Sequence, residues 1–446
     1  MSIKDDINRL RQGWQNFWFA PASPVPMALF RIGLGLVVIQ CLVVHLLADW
    51  HLYYGDYAIV PIEDMISKYW RGDPYFDLML LLPPGEEWRW YFFWMTAVFA
   101  GMMTIGLFTR VSAVLTFLCL MSLQHHFLIN QNAGDNYLRI ATMCVALSNA
   151  GDALSLDSLI KCIRQDWRIT GFLAPLSSPW AQRLLQVQIC LAYYHTWVAK
   201  MAGETWWNKG TAVYFATRYD DVMRFPLPFI LDNYYCIQIL TWGTLVVEFA
   251  LWSLIWFRAT RYWVLLAGLG LHLGIEYCMN LPMFEWLFML TYFLFIYPED
   301  LERFWSGVVA FVHKHIARPS KLMFDGSCIV CVRTVGLIHH LDIFKLVNLI
   351  DFRTATTSEL GLEPADRDRL ESEILLATPS GKILGGFQAF RYMTGRLPLL
   401  LALFPLLYLP IVAQLGELVY RTFAANRFKI LGGRCPQGVC QTATSS

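Results

Sequence analysis

Apolar residues dominate the first 300 positions in runs long enough to cross a bilayer, then give way to a shorter alternating pattern. A hydrocarbon core about 30 Å thick needs roughly 20 apolar residues per helix. On that basis the pattern predicts spans at 27–47, 90–108, 111–129, 138–154, 184–201, 235–257, 262–279 and 282–297. Thr109–Arg110 and Asn280–Leu281 are expected as tight turns, and Asn149 and Asp152 interrupt the fourth run. Residues 298–320 read as a linker with a helical stretch ending at Pro319. Beyond it the pattern predicts a strand near 321–324, a helix 329–341, a strand 346–351, a charged helix 366–371, a hairpin 373–386 turning at Pro379–Gly381, and a helix 387–394. The apolar run 397–415 is broken by Pro398, Pro405 and Pro410, which favours short helices on the sheet or at the membrane surface over a ninth span. The expected fold class is therefore a polytopic α-helical membrane domain of about eight spans plus a C-terminal α/β domain. The expected boundaries are 1–300, a linker helix 301–320, a module 321–432 and a Cys-containing tail 433–446.

Composition agrees with a membrane body. Of 446 residues, 56% are hydrophobic and 15% charged, against about 45–50% apolar in soluble chains. Eighteen Trp and twenty Tyr suit the aromatic belts at bilayer interfaces. A net charge of +1 gives no reason to expect a nucleic-acid partner. The first 25 residues are mixed in charge and do not read as a cleavable signal. Lys4, Arg9, Arg11, Arg110, Lys161, Arg164, Arg168, Arg183, Arg258 and Arg261 fall on one side if the N-terminus is cytoplasmic, and loop 51–88, with Asp73 and Arg71 among its charges, is then external. An even span count returns the C-terminal module to the cytoplasm. The expected location is a bacterial inner (cell) membrane, multi-pass.

Ionisable residues at membrane depth are costly and mark function by default. Gln186, Tyr193, Trp197 and Lys200 share one stripe of the fifth span. Lys200 reads either as an anchor reaching the headgroups or as a desolvated amine able to act as a general base. His272 and Glu276 lie four apart on the seventh span, with Asn280 four further on, and Glu248 and Glu285 are expected nearby. A hydrogen-bonded network is the better reading, because no second His stands at metal-ligand spacing. His125, His126, Asn130, Asn132, Asp135 and Arg139 form either a polar cap or the rim of a site. Arg31 is expected to be an interfacial anchor.

Residues 324–331 read Phe-Asp-Gly-Ser-Cys-Ile-Val-Cys. A Cys-x-x-Cys pair between a strand and a helix is a redox signature. The helix N-terminus stabilises the thiolate of Cys328, and Cys331 resolves the mixed disulfide. Six further cysteines sit singly in apolar stretches as packing residues. Cys435 and Cys440 are expected to be inert tail thiols, a second exchanging dithiol, or zinc ligands with the first pair, in that order.

The stretch from Ser178 to Lys200 with Trp207 to Gly210 resembles the HTTM family, the bacterial relatives of vitamin K-dependent γ-carboxylase. Phe30–Arg31 with Gly33, Asn132 to Asp135, Glu248, and His272 to Gly274 support it. The resemblance covers about residues 15–300. It implies that Lys200 takes the place of the lysine that deprotonates vitamin K hydroquinone, with Tyr193, Trp197, Glu248, His272, Glu276 and Asp135 as substrate-binding candidates. The front motif at Phe324–Cys331, with Gly385–Gly386, Tyr420–Arg421 and Ala425–Phe428, resembles the DCC family of thiol-disulfide oxidoreductases. That implies a thioredoxin-like fold and catalytic roles for Cys328 and Cys331. Together these imply a membrane oxidoreductase with a quinol or other lipophilic substrate and a redox partner for the dithiol. No metal cofactor is expected. The alternatives are a maturation factor for a small peptide or lipid-linked product, and a non-enzymatic scaffold with a redox-sensing dithiol.

Overall fold

The structure, a computed structural model, describes residues 3–70, 75–164 and 175–430. Arg71, Asp73, Arg168, Cys435 and Cys440, and the side chains of Asn130 and Arg164, lie outside the described residues. The chain divides into two compact units, Met1–Asp157 with Ala174–Pro298, and Ser158–Leu173 with Glu299–Ser446.

The first unit is helical. An amphipathic helix α1 (Ile3–Phe19) precedes the main helices, α2 (Val25–Gln40), α3 (Glu86–Ile105), α4 (Thr109–His126), α5 (Ala133–Leu147), α6 (Trp180–Met201), α7 (Tyr234–Ser253), α8 (Arg261–Cys278) and α9 (Phe284–Thr291), with shorter helical segments between them. A π-helical turn, Cys41–Leu46, extends α2, and short 3₁₀ turns extend α7 to Trp256 and α9 to Phe295. Local chemistry sets several boundaries. Glu86 and Glu87 lie in the first turn of α3, where the helix dipole favours negative charge. A capping box of Asn132 and Asp135 starts α5. The Asn233 side chain accepts the N–H groups of Tyr235 and Cys236 to start α7.

This unit has a large apolar core, to which Phe30, Leu34, Trp50, Phe93, Leu138 and Leu287 belong, yet it also buries many polar side chains and exposes many large apolar ones. Thr96, Ser112, Thr116, Gln186, Thr241, Glu248, His272 and Glu285 are buried, whereas Val44, Trp94, Val98, Ile239, Val246, Trp263 and Leu266 are exposed. Buried hydroxyls satisfy themselves on the preceding turn, as Thr116 does on Ser112 O (2.7 Å) and Thr142 on Leu138 O (2.7 Å). An extensively apolar surface around an interior that holds the polar side chains suits lipid as solvent. Against the eight spans expected, two helices among the described residues are long and apolar enough to cross a membrane by length and composition, Val25–Leu46 and Tyr234–Trp256, or three if the bent pair Pro398–Leu407 and Pro410–Asn426 is one span.

Basic residues clasp helix ends. Arg31 is fully buried and donates to Leu154 O at 2.6 Å, so it is a structural clamp and not the interfacial anchor its position suggested. The extended guanidinium finds a helix-end carbonyl within reach, and that removes the need for headgroups. Arg261 likewise donates to the carbonyls of Ile255, Trp256 and Phe295, and Gln186 to Leu294 O at 2.6 Å. Asp157 accepts from the Phe108 and Thr109 N–H groups (2.8 and 2.7 Å). The turn between α3 and α4 is therefore Gly106–Phe108, with φ of 72° at Gly106 and 47° at Phe108. Thr109 and Arg110, expected as the turn, open the next helix.

The second unit is a mixed sheet covered by helices on both faces. The order runs α10 (Pro298–His315), β1 (Ser320–Phe324), α11 (Ile329–Leu341), β2 (Val347–Asp351), α12 (Pro364–Arg369), β3 (Leu375–Ala377), β4 (Ile383–Gly385), α13 (Gly386–Thr394) and α14 (Pro410–Ile430). Strand order is β2-β1-β3-β4, with β1 parallel to β2 and antiparallel to β3, and β3 antiparallel to β4. Alternation along β1 sends Leu322 and Phe324 to the α11 side with Val332, Val335 and Ile338. Met323 points the other way, to Leu360, Leu370 and Leu375. Trp305 and His313 of α10 donate to or meet the carbonyls of Ile343 and Phe344 (3.3 and 2.8 Å), which ties the linker helix to this unit. The apolar run 397–415 is broken: short helical turns cover 398–407, and α14 restarts at Pro410 with a bend of 107°.

Gly106 has φ of 72°, and a Cβ there would meet Arg31 Nη1 at 2.0 Å. Gly101 has open space around it in the same helix. Gly106→Ala is expected to lower the melting temperature of the detergent-solubilised protein, at a cost of about 1–3 kcal/mol. Gly101→Ala is expected to leave it unchanged or raise it slightly.

Candidate functional site

Helices α5 to α9, with the segment between α6 and α7, line a partly open cavity of about 870 Å³. Its wall is mostly apolar, with Ile140, Leu191, Ala192, Leu240, Ile275 and Phe288 contributing, and it is interrupted by a small set of polar groups. Lys200 and Glu248 form an ion pair on that wall. The ammonium also lies 4.8 Å from the centre of the Trp206 ring, a cation–π contact. The Lys200 side chain is 24% exposed and that of Glu248 is 8%. The amine therefore engages a buried carboxylate and an aromatic face. The second Glu248 oxygen, Oε2, is buried without a hydrogen-bond partner among the described residues.

Tyr193, seven residues before Lys200, lies on the same helix face and also lines the cavity. Its hydroxyl is 2.6 Å from His272 Nε2 and 2.9 Å from the Tyr292 hydroxyl. His272 Nδ1 pairs with Glu285, which is fully buried. Hydrogen bonds to both ring nitrogens fix the orientation of the imidazole.

Three of the residues expected at the site sit elsewhere. Trp197 packs on Phe249 and Trp252 (ring centres 5.4 and 6.0 Å) and is absent from the cavity wall. It lies between the α6 face of Tyr193 and the α7 contact, so its large ring fills the helix interface. Glu276 pairs with Arg224 at 2.6 Å, and Arg224 also takes Asn280 Oδ1 at 2.7 Å. The loop carrying Arg224 is drawn alongside the end of α8 by the Met223–Met279 bridge, and a guanidinium there outcompetes His272. Asp135 accepts the Asn132 N–H (2.8 Å) and the Gln124 amide (3.1 Å), so it is a helix cap. His125 meets Phe76 O at 2.8 Å and His126 pairs with Asp77 at 2.7 Å, anchoring the segment before α3. Asn136, Gln188, His195, Thr196 and Thr244 line the cavity without having been singled out in the sequence. Single polar residues in apolar runs carried too little pattern to stand out.

The Cys-x-x-Cys pair sits where β1 meets α11. Cys328 is the N-cap of α11, and its sulfur accepts the Cys331 N–H at 3.4 Å. Cys328 is buried (1% exposed) and Cys331 is partly exposed. A polar frame, buried at Asp325 and exposed at Arg353 and Glu371, holds the loop. Asp325 accepts Ser327 N–H (3.0 Å) and two hydrogen bonds from Arg353 (3.0 and 3.1 Å). Arg353 bridges on to Glu371 (2.9 Å), and Asp351 accepts Gly326 N–H (2.9 Å). A Cβ at Gly326 would meet Asp351 Oδ2 at 2.0 Å, so only glycine permits this approach. Burial alone would raise the Asp325 carboxyl, but hydrogen bonds from Arg353 and Ser327 outweigh it and hold it at about 2.

Residues 19–299 match the HTTM domain family, more than half of the chain. The chain belongs to the HTTM domain family. Residues 322–433 match the DCC1-like thiol-disulfide oxidoreductase family. The two matches come in the order expected from the sequence, and the cavity lies in the HTTM domain while the dithiol lies in the DCC1-like one. Together with the apolar surface of the helical unit, they make this a membrane protein with a redox-related module. No curated protein and no solved structure matches it.

A carboxyl held below its unfolded value stabilises the fold above that value and loses the contribution as pH falls through the folded one. The Asp325 contribution, about 2 kcal/mol, is thus complete above about pH 4 and vanishes toward pH 2. Asp325→Asn is expected to lower the unfolding midpoint of the module at pH 7 and to flatten its acid dependence over that window, read by thermal denaturation across pH.

Proposed function

We propose that this chain is a membrane oxidoreductase-like enzyme whose cavity holds a lipophilic substrate of the quinol class against Lys200, and whose C-terminal module exchanges thiols and disulfides through Cys328 and Cys331. The observation that carries this reading is the ion pair Lys200–Glu248 on the wall of a large apolar cavity. A volume of about 870 Å³ falls in the range of roughly 300–1,000 Å³ usual for small-molecule sites. Few polar groups on an apolar wall suit a ring system with polar substituents. Proton transfer from the Lys200 ammonium to Glu248 neutralises both and leaves an amine facing the cavity. That amine then accepts a proton from a bound hydroxyl. Binding at this place requires no charge on the ligand, which fits entry from the bilayer.

Eight crossings are supported by the way helix ends alternate. The start of α2, the ends of α5 and α7, the start of α8 and the end of the α9 extension all gather at arginine and glutamine clasps. With the basic turns inside, the N-terminus and the C-terminal module are cytoplasmic in a bacterial cell membrane. In the module, the strand order with a dithiol at the β1–α11 junction supports a thioredoxin-like fold. Cys328 is the nucleophile, since the helix N-terminus and the Cys331 N–H both stabilise its thiolate. Glu373 and Ile374 precede β3 in place of the proline that thioredoxins carry there, and the Tyr420 hydroxyl accepts the Ile374 N–H at 3.2 Å.

Lys200→Arg keeps the charge and the partner but supplies no neutral base, because guanidinium stays protonated. With a quinol substrate it is expected to lose activity by at least about 100-fold, the usual span for a general base, with an unchanged melting temperature. Undiminished turnover in Lys200→Arg would remove Lys200 from the chemistry. In the module, Cys331→Ser is expected to trap a mixed disulfide on Cys328 when offered a small disulfide, and Cys328→Ser to trap far less on Cys331, as read by peptide-level mass spectrometry.

A further inference from the structure

The cavity wall carries a second polar station that does not involve Lys200. Glu285 is fully buried and pairs with His272 Nδ1. A carboxylate accepts and does not donate, so the imidazole proton sits on Nδ1. Nε2 is then an acceptor, and the Tyr193 hydroxyl, 2.6 Å away, donates to it. The Tyr193 oxygen in turn accepts from Tyr292, at 2.9 Å. Tyr193, His272 and Glu285 all line the cavity. An independent observation points to a ligand. Glu285 Oε1 and Glu248 Oε2 are buried carboxylate oxygens without a hydrogen-bond partner among the described residues, and both residues lie on the cavity wall. Leaving such atoms unpaired is costly, and an O–H on a ligand would satisfy them.

We propose that Tyr193, His272 and Glu285 form a second acid–base station, which takes a proton from a hydroxyl on an apolar ligand. The proposal rests on the reading of the cavity as a lipophile site. Tyr193 accepts the ligand's hydroxyl proton as its own proton passes to His272 Nε2. The ligand O–H bond and the original Tyr193 O–H bond break, and a new O–H on Tyr193 and an N–H on His272 form. The ligand is left as an oxyanion and His272 as an imidazolium beside the Glu285 carboxylate, so no electrons move and net charge is conserved. Tyr193 is the catalytic residue, and His272 and Glu285 are positioning residues that act through it. The charged or titratable groups facing this station are Tyr292, Glu248 and, along α6, Lys200. Tyr193 and Lys200 are seven residues apart, which separates them by about 10 Å along the helix. The two stations therefore address different ends of a ligand.

The test uses the purified full-length protein and a long-chain alkyl 4-nitrophenol, whose anion is coloured. The pH midpoint for ionisation of the bound dye is read by absorbance, and dye affinity is measured at a pH where the dye is neutral. Tyr193→Phe, which removes one oxygen, is expected to bind the neutral dye up to about tenfold more weakly, for one lost hydrogen bond, and His272→Gln is expected still to bind it. Both are expected to raise the midpoint by about one pH unit, a tenfold shift in the ionisation equilibrium. Lys200→Met is expected to shift it independently, so that Lys200→Met with Tyr193→Phe gives the sum. A bound dye whose midpoint is unmoved in Tyr193→Phe and His272→Gln would overturn the station and leave the cavity reading intact. Failure of the dye to bind wild type would overturn both.

Discussion

An ammonium inside an apolar bundle needs a counter-charge, and Glu248 is what allows Lys200 to stay at the cavity. Removing one partner of a buried pair typically costs about 3–5 kcal/mol, because the other charge is left uncompensated. The arrangement of α6 against α7 follows from this. Lys200 lies near the end of α6, and Glu248 meets it from the middle of α7. The Trp206 ring closes over the ammonium. With the pair in place, the rest of the wall can be apolar, and a large cavity persists between helices that would otherwise close over it.

The same rule organises the remainder of the helical unit. Several polar side chains at depth have a named partner: Arg31 has Leu154, Arg261 three carbonyls, Gln186 Leu294, Glu276 Arg224 and His126 Asp77. Buried polar atoms without a partner also occur elsewhere in the unit, Glu276 Oε2 and Arg31 Nε among them, and on the cavity wall they are the carboxylate oxygens Glu248 Oε2 and Glu285 Oε1, which a ligand O–H can reach. The C-terminal unit applies the rule on a smaller scale. Asp325, Arg353, Asp351 and Glu371 hold the dithiol loop through charge-assisted hydrogen bonds, which fixes Cys328 at the head of α11.

Much of this was legible in the sequence. The helices of the first unit lie where the apolar runs lie, because such runs are dictated by the solvent and not by distant partners, although among the described residues only Val25–Leu46 and Tyr234–Trp256 are by themselves long and apolar enough to cross a membrane. The dithiol module was equally clear, since strand, Cys-x-x-Cys and helix follow one another locally. What pattern could not reveal depended on pairing at a distance. Glu276 stands on the His272 face by spacing, yet Arg224, 52 residues away, claims it. Trp197 shares the Lys200 stripe, yet its bulk packs on α7. Arg31 read as an anchor because Leu154 O, 123 residues on, carries no side-chain signal. Tyr292, which completes the hydrogen-bond series at Tyr193, is one of twenty tyrosines and had no spacing to mark it.

The central claim is that a lipophilic molecule occupies the cavity between α6, α7, α8 and α9. Photo-crosslinking with a diazirine-bearing quinone in native membranes, followed by peptide mapping, tests it most directly. Label concentrated at cavity-lining positions such as Leu191, Thr244, Ile275 and Phe288, and competed by unlabelled quinone, is the predicted result. Label spread over lipid-facing positions such as Val98, Val246 and Leu266, without competition, would contradict it.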